Sequence, residues 1–186
     1  MSEFSESYHL RGSDHRNAIT LLERAELSGF VFPSKGGWST FLVEGSPFAI
    51  NDRLVSRNTG CLLRYYYAED HEWGFNLWDG SDMACEYHCG WNDAIVIDDS
   101  RLSVDGLQSL TRGDLAPAID VRAMNKALSA PEDIDDLCAW PPRAYRFASA
   151  IQLPRYEWCS YEEFLCEYQP DCRDPDGVVE VCFRAQ

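Results

Sequence analysis

The chain predicts an α+β fold: a mostly antiparallel meander sheet with a packed N-terminal helix and a helical C-terminal subregion. Three observations carry that expectation. Residues 61–89 contain three strand-like runs, "CLLRYYYA", "EWGFNLW" and "MACEYHC", separated by the short polar turns "EDH" and "DGSD". After Asp98 the texture changes to short helical segments punctuated by Pro, Gly and Asp. The closing "GVVEVCFR" alternates Val178, Glu180 and Cys182 against Val179, Val181 and Phe183, as a strand that rejoins the main sheet would.

At 186 residues, with 45% hydrophobic and 13% aromatic content, the chain is expected to fold as a single α+β domain over 1–186. Its parts are a sheet-rich region 1–99, a helical region 100–177 and a closing strand 178–184. No internal repeat or low-complexity segment interrupts this plan.

Taken in order, "ESYHLR" (Glu6 to Arg11) is a short first strand. "SDHRNAITLLERAELSG" is an amphipathic helix over 14–28. Ser13 or Asp14 caps it, Ala18, Leu21, Leu22 and Ala25 share one face, and Gly29 stops it. "GFVFP", the turn "SKGG" and "WSTFLVEG" form a hairpin in which Trp38, Thr40 and Leu42 oppose Phe41 and Val43. "SPFAINDRLVSRNTG" ends in a helix exit or loop, and the meander follows. "AIVI" (Ala94 to Ile97) is a candidate further strand, for a sheet of roughly five to seven strands. "SVDGLQSL", "AIDVRAMNKALSA", "PEDIDDLCAW" and "PPRAYRFASAI" read as short helices. "WCSYEEFLCEY" opens another through a capping box of Ser160 and Glu163.

The net charge is −15, from 31 acidic against 16 basic residues. Gripping a phosphate backbone calls for clustered Lys and Arg, so a nucleic-acid partner is not expected. A negative field steers cations inward and speeds encounter with a basic protein partner. The first residues, "MSEFSESYHLRGSD", offer neither a basic n-region nor an apolar h-region, and no run reaches the roughly 20 apolar residues of a membrane span. The expectation is a cytoplasmic protein with no membrane partner, whose eight cysteines are reduced thiols acting as small buried hydrophobes.

The densest group of candidate ligands is "YYYAEDHEWGF", Tyr65 to Phe75. A metal site needs three or four donors within about 2.0–2.6 Å of one point, and four consecutive residues in a turn diverge too far to supply them. The hairpin reading therefore prevails, with no metal or other cofactor expected. A second use of the same residues is a partner-binding patch in which Tyr66, Trp73 and Trp78 are rimmed by Glu69, Asp70, His71 and Glu72. Trp and Tyr supply interface anchors and carboxylates select a basic partner. Against it stands the reading in which the aromatics face the core and the acids face water. The candidate partner-binding residues are Tyr66, Glu69, Asp70, His71, Glu72 and Trp78.

"CEYHC" has two thiols four residues apart, which on a strand span about 13 Å, and His88 points to the opposite face. Neither a zinc site nor a disulfide is expected there. There is no GxSxG elbow, Walker loop or GxGxxG, and His9, His15, His71 and His88 have no evident paired nucleophile. No catalytic residue is assigned. The alternative to a binding protein is an enzyme or small-ligand binder with a pocket between the sheet and the C-terminal helices, lined by Tyr65, Tyr67, His88 and an acid.

The layout of a short strand, an amphipathic helix, "SGFVFP", "GGWSTFL", the hairpin "YAEDHEWGF" and the late "FASAIQLPRYEWCSYEEFL" resembles that of small bacterial orphan proteins, among them immunity proteins that neutralise polymorphic toxins. The resemblance implies a cytosolic antidote without catalytic residues that masks a toxin's active site or blocks its assembly. It lies in the texture of the chain, so no residue role is carried over by position.

Overall fold

A computed structural model of the protein describes residues 2–12, 14–45, 47–111, 119–167 and 177–183. Its centre is an eight-stranded, wholly antiparallel sheet built from β1 (Phe4–Arg11), β2 (Gly29–Val31), β3 (Trp38–Val43), β4 (Cys61–Ala68), β5 (Glu72–Asp79), β6 (Asp82–Gly90), β7 (Val96–Asp98) and β8 (Val179–Val181). The spatial order is β7-β6-β5-β4-β1-β3-β2-β8. Two three-residue strands at the edges raise the count above the expected five to seven. Short edges expose few unpaired backbone groups, which blunts edge-to-edge association.

The meander lies where the apolar runs predict it. Ala68 pairs with Glu72, so Glu69, Asp70 and His71 form a three-residue loop. Asp79 pairs with Asp82, leaving a two-residue turn in which Gly80 takes φ 61°. Glycine at the first central position suits the twist of such a tight hairpin. The late strand β8 does rejoin the sheet, against β2.

α1 (Arg16–Ala25) and α2 (Asp52–Arg57) pack on one face of the sheet. The buried residues of α1 are Ala18, Leu21, Leu22 and Ala25, the predicted stripe. Its end differs from the expectation. Glu26, not Gly29, breaks the helix with φ 55°, and its N–H bonds back to Glu23 and Leu22 carbonyls. Gly29 is instead the first residue of β2, where a Cβ would stand 2.2 Å from the Leu42 carbonyl oxygen. Glycine is needed there for close strand approach. Asp14 accepts from the Arg16 N–H at 2.9 Å; Ser13, the other capping candidate, lies outside the described residues.

On the opposite face lie α3 (Val104–Thr111), α4 (Val121–Leu128), α5 (Ile134–Cys138), α6 (Arg143–Ala150) and α7 (Tyr161–Glu167). Asp120 and Asp133 cap α4 and α5 by accepting from the N–H groups of Ala123 and Asp136, which is why Asp punctuates this stretch. The Ser160 hydroxyl meets the Glu163 N–H at 3.4 Å at the start of α7. Buried Arg143 clamps the group together, donating to the Ser129 carbonyl after α4 and to Asp136 of α5. The core under these helices is dominated by rings: Phe75 stacks on Phe147 with centroids 4.5 Å apart, and Trp73 sits 4.8 Å from Tyr87. Among the described residues no helix is long and apolar enough to cross a membrane.

Candidate protein-binding surface

Strand alternation separates the predicted site residues. Trp73 is 1% exposed and faces the C-terminal helices, whereas Trp78 is 2% exposed beside Leu62 on the side of α1 and α2. Neither belongs to a surface. Tyr66 is also buried, with its hydroxyl lying over Gly74, where a Cβ would come within 2.4 Å of it. That hydroxyl lies 3.1 Å from His88 Nδ1, and Glu72 approaches the same nitrogen at 3.5 Å.

Tyr66, Glu72 and His88 therefore belong to a polar network on the face of the sheet that also carries α1 and α2. Its spine runs from Glu6 to Arg64 (2.7 Å), on to Asn76 (3.0 Å) and then to Glu86 (2.9 Å), with the Arg64 guanidinium 4.5 Å above the Tyr66 ring. Most of these polar groups already have partners, so the network cross-links strands.

Glu69, Asp70 and His71 remain exposed at the hairpin tip. His71 leans on Asn92 at 3.1 Å, and its carbonyl accepts from the Trp91 N–H. Glu69 and Asp70 face α5. Burial raises the Cys138 thiol first, and the carboxylates of Asp135, Glu69 and Asp70 add to that rise.

A buried carboxylate joins the tip to a second set of exposed groups. Glu3 exchanges backbone contacts with Glu69: the Glu69 N–H donates to the Glu3 carbonyl, and the Glu3 N–H donates to the Glu69 carboxylate, both at 3.0 Å. The Glu3 side chain accepts from Ser5 Oγ (2.6 Å), the Trp158 N–H (2.8 Å) and the Tyr145 hydroxyl. These donors come from β1, the loop before α7, and α6. One residue thus fixes the relative placement of the acidic tip and the aromatic groups beside it.

Those aromatics are Trp140, 79% exposed, and Trp158, 48% exposed. Trp140 stands on the loop between α5 and α6, with its ring 5.5 Å from Tyr145 and inclined at 70°. Tyr156 meets Tyr145 from its own loop at 5.2 Å and 71°. Arg146 fixes the Trp140 loop, donating to the Pro141 carbonyl at 2.6 Å and to the Ala139 carbonyl at 2.9 Å. Large exposed aromatics on braced loops, next to carboxylates, have the composition of a partner-binding surface.

The sequence points to the acidic tip Glu69–His71 and does not point to the exposed Trp140 and Trp158. "PEDIDDLCAW" reads as a short helix and "WCSYEEFLCEY" as a helix opened by Ser160, so neither Trp140 nor Trp158 stands out in the sequence. The overlooked signal is the dipeptide after Trp140: Pro141 and Pro142 force the preceding residue out of helical geometry, so Trp140 has no helix face to bury.

Tyr65, Tyr67 and His88 do not meet in one place. Tyr65 and Tyr67 face packed side chains, and His88 points to the other face of the sheet. A Ser–His pair does occur: Ser7 Oγ lies 2.9 Å from His9 Nε2, while His9 Nδ1 lies 3.1 Å from Thr40 Oγ1. All three side chains are buried, and burial lowers the His9 pKa to about 3, so this row is a neutral internal hydrogen-bond chain. Among the described residues no group of three His, Cys, Asp or Glu side chains could hold a metal ion. The chain matches no family model, no curated protein and no solved structure.

Proposed function

We propose that the protein is a non-enzymatic binding protein of the cytoplasm that masks a basic protein partner, in the manner of an immunity protein. The observation that carries this reading is Trp140, a tryptophan 79% exposed and two residues from Cys138, whose thiol feels the Glu69 and Asp70 carboxylates of the tip. An exposed Trp gains most from burial against a partner, because its large ring loses water at little cost in side-chain entropy. The carboxylates of Glu69 and Asp70, within a chain of net charge −15, steer a positive surface toward it and set its orientation.

Affinity capture from the native host with two baits tests the proposal. One bait is the wild-type chain; the other carries Glu69→Lys, Asp70→Lys and Trp140→Ala. A basic protein retained at physiological salt by the first bait and lost from the second is the expected result. Co-expression of the wild-type chain should also neutralise that protein's toxicity. Identical retention by both baits overturns the assignment of this surface.

A further inference from the structure

Between α4, α6 and the loop carrying Tyr156 lies a cavity of about 400 Å³. Three of its lining residues are Trp140, Tyr145 and Tyr156. Tyr145 makes ring contacts with both of the others, at 70° and 71°, so Trp140 and Tyr156 stand as walls around a Tyr145 floor. Two carboxylates, Asp120 and Glu157, also line it. The floor is held from behind: the Tyr145 hydroxyl donates to buried Glu3, and its ring packs 5.5 Å from Tyr67.

Aromatic rings bordering an open space offer a cation the negative side of their quadrupoles where a ring face is reached. Carboxylates at the rim add attraction for positive charge. One cation, Arg146, shares the lining, its guanidinium bonded to the Pro141 and Ala139 carbonyls; its charge offsets one of the two carboxylates, so the lining keeps a net negative charge. Arg146 shapes the wall that holds Trp140.

We infer that this cavity is an aromatic cage that receives the cationic head of a lysine or arginine side chain from the basic partner. The inference rests on the binding reading above and deepens it, by naming the group that enters and the rings that hold it. Its logic is that of ammonium and guanidinium recognition in general: a cation loses part of its water and gains several ring faces together with a nearby carboxylate.

Isolated side-chain analogues provide the test, since they need no knowledge of the partner. The Trp140 indole N–H resonance, identified through Trp140→Phe, is followed by NMR during titration with N-acetyl-argininamide, N-acetyl-lysinamide and tetramethylammonium. N-acetyl-norleucinamide serves as the neutral control. The expected result is a saturable shift with at least one cation in the millimolar range, none with the neutral control, and weaker binding at high salt. Tyr156→Leu should abolish the shift, and Glu157→Gln should weaken binding several-fold while the melting temperature stays near wild type. Two outcomes overturn the cage: no saturable shift with any cation, or an equal shift with norleucinamide, which marks a simple apolar cleft. Either outcome leaves the two-bait capture experiment standing by itself, so failure of the cage and failure of the partner-binding reading are separable.

Discussion

Two tryptophans of the meander and two of the helical half follow opposite rules. Trp73 and Trp78 lie on one strand five residues apart, bury on opposite faces of the sheet, and keep 2% or less of their surface. Trp140 and Trp158 lie on loops and keep 79% and 48%. In a strand, the pleat decides where a side chain goes, and both faces here are covered at those positions. In a loop, local backbone constraints decide, and bulky side chains can be left outward on rigid supports. Binding groups are found disproportionately on such loops.

Deleting each ring sharpens the contrast most. Trp73→Ala removes a ring packed against Tyr87 and Phe147, and should cost about 3–5 kcal/mol by chemical denaturation. Trp140→Ala should change stability by no more than about 0.5 kcal/mol, as befits an exposed position. Comparable losses at both sites would mean that the Trp140 ring is a structural element of the helical layer.

Acid probes the buried side through His9. His9 packs edge-on to Trp38 with centroids 6.3 Å apart, and burial lowers its pKa to about 3 from the ordinary 6.5. The unfolded chain takes up a proton on this histidine below pH 6.5, whereas the folded chain does so only near pH 3. Stability is therefore fully present above pH 6.5 and is lost as the pH falls, at about 1.4 kcal/mol per pH unit from this group. At pH 5 the deficit should reach about 2 kcal/mol. Urea midpoints between pH 7 and pH 4.5 measure it, and His9→Gln should flatten the slope. An equally steep slope in that variant would assign the acid sensitivity elsewhere.

The same contrast explains what could be read in the sequence. The apolar stripe of α1, the two faces of β4 and the three-residue tip at Glu69–His71 all follow from periodicity and turn chemistry. Those signals are local, and the sheet enforces them. The end of α1 differs from the expectation because Glu26 carries no sequence mark of its left-handed conformation, whereas Gly29 advertises a stop that β2 uses otherwise. Grouping Tyr66, Trp73 and Trp78 with the tip overlooked that their strand positions send Trp73 to one face and Tyr66 and Trp78 to the other.

The joining role of Glu3 was out of reach for a different reason. Its partners Glu69, Tyr145 and Trp158 are 66, 142 and 155 residues away, and no local pattern encodes such pairs. Only the folded chain brings that carboxylate to the hydroxyl of Tyr145 and the backbone of Trp158. The acidic tip was visible as composition; its aromatic neighbours become visible only once the sheet and helices are assembled.

The smallest effects expected are at the tip itself, where Glu69 and Asp70 are neighbours with unequal roles. The Glu69 carboxylate accepts from the Glu3 N–H, while the Asp70 carboxylate accepts from no N–H among the described residues. Glu69→Lys removes the acceptor and should cost about 0.5–1.5 kcal/mol. For Asp70→Lys the change should stay within about 0.5 kcal/mol. Against a basic partner the two should behave alike, because rim charges act mainly through long-range steering. Each reversal should slow association and shallow its salt dependence, with a smaller change in dissociation rate. Stopped-flow association at several salt concentrations, set beside urea melts of the same variants, separates the two quantities. If Asp70→Lys destabilises the fold as much as Glu69→Lys, then Asp70 also braces the tip against α5, and its charge cannot be counted as surface alone.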